Sequence, residues 1–206
     1  MRSFGSACVL AGGKGFRLGG RDKLYMELGG ERLAWRVVRS LQSRFDDIIV
    51  ATGRPESFAG MGVRTVTDEP GFQGPLAGLL SALRATTSLW LYLIAVDMPR
   101  FSTAWVDLLE ARIGERAEGA PEPLACVASS GAFFEPFQAF YHFALPDIAS
   151  KAASSGDPHG SIQALLSGRP LLRIGDADVL AACAPDLFFS VNTPEDLAAA
   201  NDTFQF

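Results

Sequence analysis

Apolar and polar positions along this chain follow two rhythms. The short runs Ala7–Leu10, Asp47–Thr52, Val63–Thr67 and Leu89–Val96 have the length and the apolar or β-branched content of strands in a mostly buried sheet. Between them apolar residues return every third or fourth position. Ala34, Val37, Val38, Leu41 and Phe45 predict an amphipathic helix over Leu33–Arg44, with Arg36, Arg39 and Arg44 on a solvated face. Gly74-Pro75 followed by Leu76, Leu79, Leu80 and Leu83 predicts a helix to about Arg84, with Pro75 in the first turn, where its missing N–H does no harm. Ser102 or Thr103 caps a further helix reaching Ile113.

Beyond it, Gly114–Pro123 is charged and helix-breaking and reads as a surface connection. Leu124–Ala128 and Phe137–Tyr141 can pair as strands, and Pro146–Ser154 and Ile162–Leu166 suggest two short helices. Thr193-Pro194-Glu195-Asp196 combines an N-cap, a first-turn proline and acids at the positive helix end, so a final helix follows. Strands alternating with helices predict a mainly parallel α/β sheet with right-handed crossovers. Ligands of such sheets sit at the carboxyl ends of the strands. The segment after Leu10, Ala51-Thr52-Gly53, Asp68 and Asp97 all fall there.

The length, 206 residues, fits a single domain over 1–206, in two halves of about 1–113 and 114–206. A hydrophobic share of 48% with 20% charged residues is that of an ordinary globular chain. The net charge of -5 argues against a general grip on nucleic acid. The longest apolar run, Leu89–Val96, is far below the ~20 residues a membrane-spanning helix needs. Gly12-Gly13 interrupts the chain before a signal-peptide core has formed. Cys8, Cys126 and Cys183 are widely spaced, without a C-x-x-C pair, so neither disulfides nor zinc is indicated and a cytoplasmic location fits.

Candidate chemistry begins where the first apolar run opens into Ala11-Gly12-Gly13-Lys14-Gly15-Phe16-Arg17-Leu18-Gly19-Gly20-Arg21-Asp22-Lys23. Glycines let successive N–H groups turn toward one anion, and Arg17 and Lys23 add charge to such a cradle. A glycine-rich turn with solvent-facing cations is the plainer alternative. The segment matches neither G-x-x-x-x-G-K-[ST], since Arg21 and Asp22 follow Gly20, nor G-x-G-x-x-G, since Gly19 comes one residue late. Asp97 ends the most apolar strand, where its carboxylate could bridge a hard cation to phosphate oxygens or merely shape the turn before Met98-Pro99. Asp68-Glu69-Pro70 is open in the same way. His142 and His159 are too isolated for a catalytic pair.

The segments LAGGKGFRLGGRDK, TDEP, GPLAGLLSAL, AVDMP and VNTPEDL resemble the molybdenum cofactor guanylyltransferases in residues and order, over nearly the whole chain. Phe134–Tyr141 resembles their acceptor-side strand. The resemblance implies a three-layer, Rossmann-like nucleotidyltransferase fold with a nucleotide-binding first half and an acceptor-binding second half. It implies a magnesium-dependent enzyme that moves GMP from GTP to the phosphate of molybdopterin and releases pyrophosphate. It also implies transient contact with molybdenum-insertion proteins or target oxidoreductases. By matching position, Leu10, Ala11 and Gly12 would line the GTP site through their backbone, and Gly13 would lie beside the phosphates. Arg17 and Lys23 would neutralise the triphosphate, Asp68 would contact the nucleoside and Asp97 would hold the magnesium. Gly74–Gly78 would form the floor beside base and ribose.

Two positions depart from the family pattern. Ala51 stands where the family often has Asn, leaving only backbone contacts to the nucleotide there, and Ser190 replaces the Asn two residues before Asn192 on the acceptor side. Cytidylyl relatives usually show LAAG where this chain has Leu10-Ala11-Gly12-Gly13, which favours the guanylyl group over a cytidylyltransferase acting on molybdopterin or on a sugar or alcohol phosphate. A nucleotide-binding module without turnover is the remaining alternative. Phe133, Phe134, Phe137 and Phe140 could stack on a pterin, but at their spacing they are expected to be core.

Overall fold

The chain is described by a computed structural model for residues 1–12, 17–18, 21–115, 119–154, 161–182 and 186–203, with 17–18, 21–23 and 203 described through their backbone alone. In chain order, β1 (Ser6–Leu10) is followed by two small hairpins, β2 (Arg17–Leu18) with β3 (Arg21–Asp22), and β4 (Glu27–Leu28) with β5 (Glu31–Arg32). A 3₁₀ turn, Lys23–Tyr25, separates them. Then come α1 (Leu33–Gln42), β6 (Asp47–Ala51), β7 (Arg64–Val66), α2 (Gly74–Ala85), β8 (Trp90–Ala95) and α3 (Thr103–Gly114). The second half holds β9 (Ala125–Ser130), β10 (Phe133–Phe134), β11 (Ala139–His142), α4 (Leu145–Ser154), α5 (Ile162–Leu166), β12 (Leu171–Ile174), α6 (Asp176–Ala182) and α7 (Pro194–Thr203).

Strands β7, β6, β1 and β8 pair in parallel in that order, and β11 joins β8 antiparallel. β9 runs antiparallel to β11 and β10 and parallel to β12, so only β10 and β11 oppose the common direction. Those two return from β9 through a short connection, which permits only antiparallel pairing. The expectation of a mostly parallel α/β sheet therefore holds.

The period of two along β1 divides the core. Ala7 and Val9 face the layer of α1 and α3 with Val37, Leu41, Trp105 and Leu109, while Cys8 and Leu10 face Leu76, Leu79 and Leu80 of α2 and Leu145 of α4. β8 does the same with Tyr92 and Ile94 on one face and Leu91 and Leu93 on the other, all fully buried. Each such side chain stabilises the fold by about 1.5–3 kcal/mol relative to an exposed one. Helices on both faces of a sheet make the three layers.

Two expectations are corrected. Arg36 and Arg44 do not lie on a freely solvated face: Arg36 donates to the Leu28 carbonyl at 3.1 Å, and Arg44 pairs with Glu110 at 2.7 Å, tying α1 to α3. Arg39 alone of the three is largely exposed, beside Glu31. Among the phenylalanines, Phe134 and Phe140 are core and Phe137 is half-buried, but Phe133 is 63% exposed because β10 ends at the sheet's rim. No helix among the described residues is long and apolar enough to cross a membrane.

Candidate active site

The parallel strands β1, β6 and β8 end together, and the residues beyond their carboxyl ends are knitted by backbone hydrogen bonds. The Ala11 N–H donates to the Ala51 carbonyl at 2.9 Å, the Val96 N–H to the Leu10 carbonyl at 3.0 Å, and the Thr52 N–H to the Val66 carbonyl at 2.8 Å. This ledge carries Leu10, Ala11 and Gly12 in its centre. Leu10, Ala11 and Ala51 are buried, whereas Gly12 is exposed.

Against the ledge stands the N-terminal part of α2. A Cβ on Gly78 would come within 2.9 Å of Leu10 Cδ2 and 3.1 Å of Ala51 Cβ, so helix and strands approach at a distance only glycine allows. The Asp68 carboxylate borders the same space: Oδ1 lies 3.6 Å from that position on Gly78 and 3.8 Å from the corresponding one on Gly12. Asp68 is exposed, and the Glu69 N–H beside it donates to the Ala77 carbonyl at 3.2 Å. Gly12, Ala51, Asp68 and Gly78 therefore form one floor: small residues under an exposed carboxylate. Ala51, one of the two departures from the family pattern, is fully buried in that floor, and its methyl packs close to Gly78.

Gly13 lies outside the described residues, as do His159 and Cys183. The backbone puts Arg17 in the β2–β3 hairpin and Lys23 at the start of the 3₁₀ turn. That turn is anchored on α1. Leu24 is buried in the core, the Tyr25 hydroxyl is 3.2 Å from Ser57 Oγ, and the Arg32 guanidinium lies over the rings of both Tyr25 and Trp35, at 5.2 and 5.1 Å. Trp35 is held in turn by its indole N–H, which donates to the Ser57 carbonyl at 3.0 Å.

On the other side of Leu10, Asp97 sits two residues past β8, half-buried. Its carbonyl accepts from the Val191 N–H at 2.8 Å, which brings the flanking Ser190 and Asn192 to the same edge of the sheet. The direction of that segment is set by a reciprocal cap on α7. Asp196 Oδ2 accepts from the N–H groups of Asn192 and Thr193, both at 2.8 Å, while Thr193 Oγ1 accepts from the Asp196 N–H at 3.1 Å. A second tie joins these segments, Arg100 to Asp186 at 2.7 Å. In the connection after β10, burial pushes the Glu135 carboxyl above its ordinary range, and the N–H of Phe137 partly offsets this. Sequence reasoning missed the Arg100–Asp186 pair and the buried polar residue Gln138. A lone amide inside the apolar run Phe137–Tyr141 was the available signal for the latter.

One edge thus holds a glycine-lined floor bordered by the Asp68 carboxylate and, at its other end, Asp97, whose backbone carbonyl is bonded to the polar Ser190–Asn192 segment. The model of the MobA-like NTP transferase domain matches residues 7–174, which include all of these except the Ser190–Asn192 segment. The chain belongs to this family. Among MobA-like proteins it is 31% identical over 195 residues to a molybdenum cofactor guanylyltransferase of Syntrophotalea carbinolica, covering 94% of this chain and 89% of that one. It is 32% identical over 195 residues to a protein of the same name from Pseudomonas aeruginosa, covering 94% and 92%. Its fold is that of the molybdopterin-guanine dinucleotide biosynthesis protein A of Archaeoglobus fulgidus, with a TM-score of 0.76 at 22% identity over 96% and 97% of the two chains. These alignments extend past the family match into the final helix, so Ser190 and Asn192 belong to the shared architecture and are not an appendage.

Proposed function

We propose that this protein transfers GMP from GTP to the phosphate of molybdopterin or its metal-loaded form. The observation that carries the reading is the likeness, over 94% of the chain, to proteins named molybdenum cofactor guanylyltransferase. The geometry is compatible with it: the Gly12–Gly78 floor and Asp68 border one side of Leu10, Asp97 and the Ser190–Asn192 segment lie at the other, and in this reading the nucleotide rests on the floor with its phosphates toward Asp97. A phosphate oxygen of the acceptor attacks the α-phosphorus of GTP. A new P–O bond forms as the bond to the bridging oxygen breaks, and pyrophosphate leaves with the electron pair. The acceptor phosphate is already ionised near neutral pH, so alignment and charge stabilisation supply the rate rather than a general base.

In this reading Asp68 contacts the nucleoside, Leu10, Ala11 and Gly12 line the nucleotide site through their backbone, Gly13 belongs beside the phosphates, and Arg17 and Lys23 neutralise the triphosphate. Ser190 and Asn192 face the acceptor. Among the described residues no three of His, Cys, Asp and Glu gather to cage a metal. One hard carboxylate, Asp97, suits magnesium, which takes the rest of its ligands from phosphates and water. The ion would screen charge on the phosphoryl group. A reducing cytoplasm suits the free thiols of Cys8 and Cys126, both pushed up to about 12 by burial. Delivery of the product would involve transient contact with molybdenum-insertion proteins or target oxidoreductases.

The test is pyrophosphate release with GTP or CTP, with and without molybdopterin. Release that needs both GTP and molybdopterin is expected, with Asp97→Ala and Lys23→Ala slowed by about 100-fold or more. A preference for CTP would make the protein a cytidylyltransferase. Tight GTP binding without release would make it a binding module, and near-normal turnover of Asp97→Ala would remove the metal assignment.

A further inference from the structure

Between Phe134, opposite Ser129, and Phe140, opposite Cys126, five residues of the returning chain face two of β9. The excess loops out over 135–138 and returns the chain opposite Leu93, near the carboxyl end of β8. At its end Gln138 adopts φ 55, the left-handed region that non-glycine residues seldom enter, and it is fully buried. Its hydrogen bonds hold it there. Its N–H donates to the Leu93 carbonyl at 2.7 Å, and its carbonyl accepts from the Trp105 indole at 2.7 Å. Its side-chain Oε1 accepts from the Tyr92 hydroxyl at 2.6 Å, and Nε2 donates both hydrogens, to the carbonyls of Arg100 at 2.7 Å and Leu187 at 2.9 Å.

We propose that Gln138 is a positioning residue that aligns the acceptor with the nucleotide. Its amide clamps the turn after Asp97 to the segment that enters Ser190–Asn192. Arg100 lies three residues after Asp97, and Leu187 lies three residues before Ser190, so the two carbonyls flank the 2.8 Å bond between Val191 and Asp97. An apolar side chain of the same size would fill the space but make neither bond, and a carboxylate would repel both carbonyls. Strained backbone at the rim of a site persists where surrounding contacts over-determine it. The inference rests on the guanylyl-transfer reading for what is aligned, and on the hydrogen bonds alone for the clamp.

Gln138→Met in the full chain tests it, with GTP and molybdopterin varied separately in the pyrophosphate assay. The expected result is a loss of about tenfold to a hundredfold in kcat/KM for the acceptor, with KM for GTP within about twofold of the unaltered protein. Tyr92→Phe, which removes a bond to Gln138 but leaves both clamped carbonyls paired, should leave both constants within about twofold. Should Gln138→Met fail to fold, Asp186→Ala opens the neighbouring tie to Arg100 at the surface, and an acceptor-selective loss of about threefold is expected. Equal losses for both substrates, or a lowered thermal midpoint with intact kinetics in the folded variants, would overturn the proposal. Hydrogen exchange at the Val191 amide, read without substrate, should quicken by about fivefold in the same variants. Unchanged exchange would refute the clamp. An unaltered protein inactive with every nucleotide would instead refute the functional reading, and the exchange result would still decide the clamp.

Discussion

At Gly78 two effects of a single methyl oppose each other. Alanine is favoured over glycine in a helix interior by roughly 0.5–1 kcal/mol, and Gly78 lies inside α2. Against that, the added Cβ would sit 2.9 Å from Leu10 Cδ2 and 3.1 Å from Ala51 Cβ, both on buried strand residues with little room to retreat. Overpacking of this kind costs about 1–3 kcal/mol. The clash wins, so Gly78→Ala should lose about 1 kcal/mol in denaturant unfolding, and, with the nucleotide seated as proposed, weaken GTP binding, because Leu10 must shift in the ledge. A variant as stable as the parent with unchanged GTP titration would show that helix and ledge are not in tight contact. Asp68 borders the same space, but Asp68→Asn keeps the shape of the floor, and its effect separates the carboxylate's chemistry from packing.

The opposite end of β6 shows what an element needs where no chemistry is done. Asp47 opens the strand. Burial pushes its carboxyl up, but hydrogen bonds from Arg64, Ser6 and Thr87, together with the guanidinium charge, outweigh burial and leave it below its ordinary value. Arg64 grips it from β7 at 2.7 Å and Thr87 from the turn before β8 at 3.1 Å, so one carboxylate joins the amino ends of four strands. A depressed folded-state value means the stabilisation is complete above the ordinary carboxylate range and fades as pH falls through the folded value. Unfolding free energy should therefore decline below about pH 4, and Asp47→Asn should flatten that decline without altering turnover. An acid limb as steep in the variant would assign it to other carboxylates. The long periodic elements, β1, β6, β8 and α1 to α3, were legible in the sequence because one rhythm persists through each of them. β12 is a four-residue run behind Pro170, and α6 buries no residue, so neither leaves an apolar stripe to read. Within the site, Asp68 and Asp97 were legible as strand-end acids. The packing of Gly78 on Ala51 and the span of Gln138 are contacts between distant segments, which no local pattern records.

For the whole molecule, the two halves proposed from the sequence meet inside one sheet. β11 pairs with β8 from Ala139 opposite Leu93 to His142 opposite Trp90, and both strands are buried. Tyr92 stacks with Phe45 of the first half and meets Phe140 of the second, and Trp105 lies edge-on to Phe188. Separating the halves would expose these aromatic faces and the hydrogen-bonding edge of β8 together. Neither half then has a state in which it stays folded alone, and unfolding should be a single cooperative transition. The three tryptophans, Trp35, Trp90 and Trp105, all belong to the first half, whereas far-UV circular dichroism samples every helix and strand. In urea the two signals should share one midpoint, and GTP should move both by the same amount, because a ligand that binds only the folded chain stabilises the whole cooperative unit. Midpoints separated by more than about 0.5 M urea would mean that the second half melts by itself. The acceptor side could then open while the nucleotide floor stayed formed, and Asp97 and the Ser190–Asn192 segment would no longer be held as one edge.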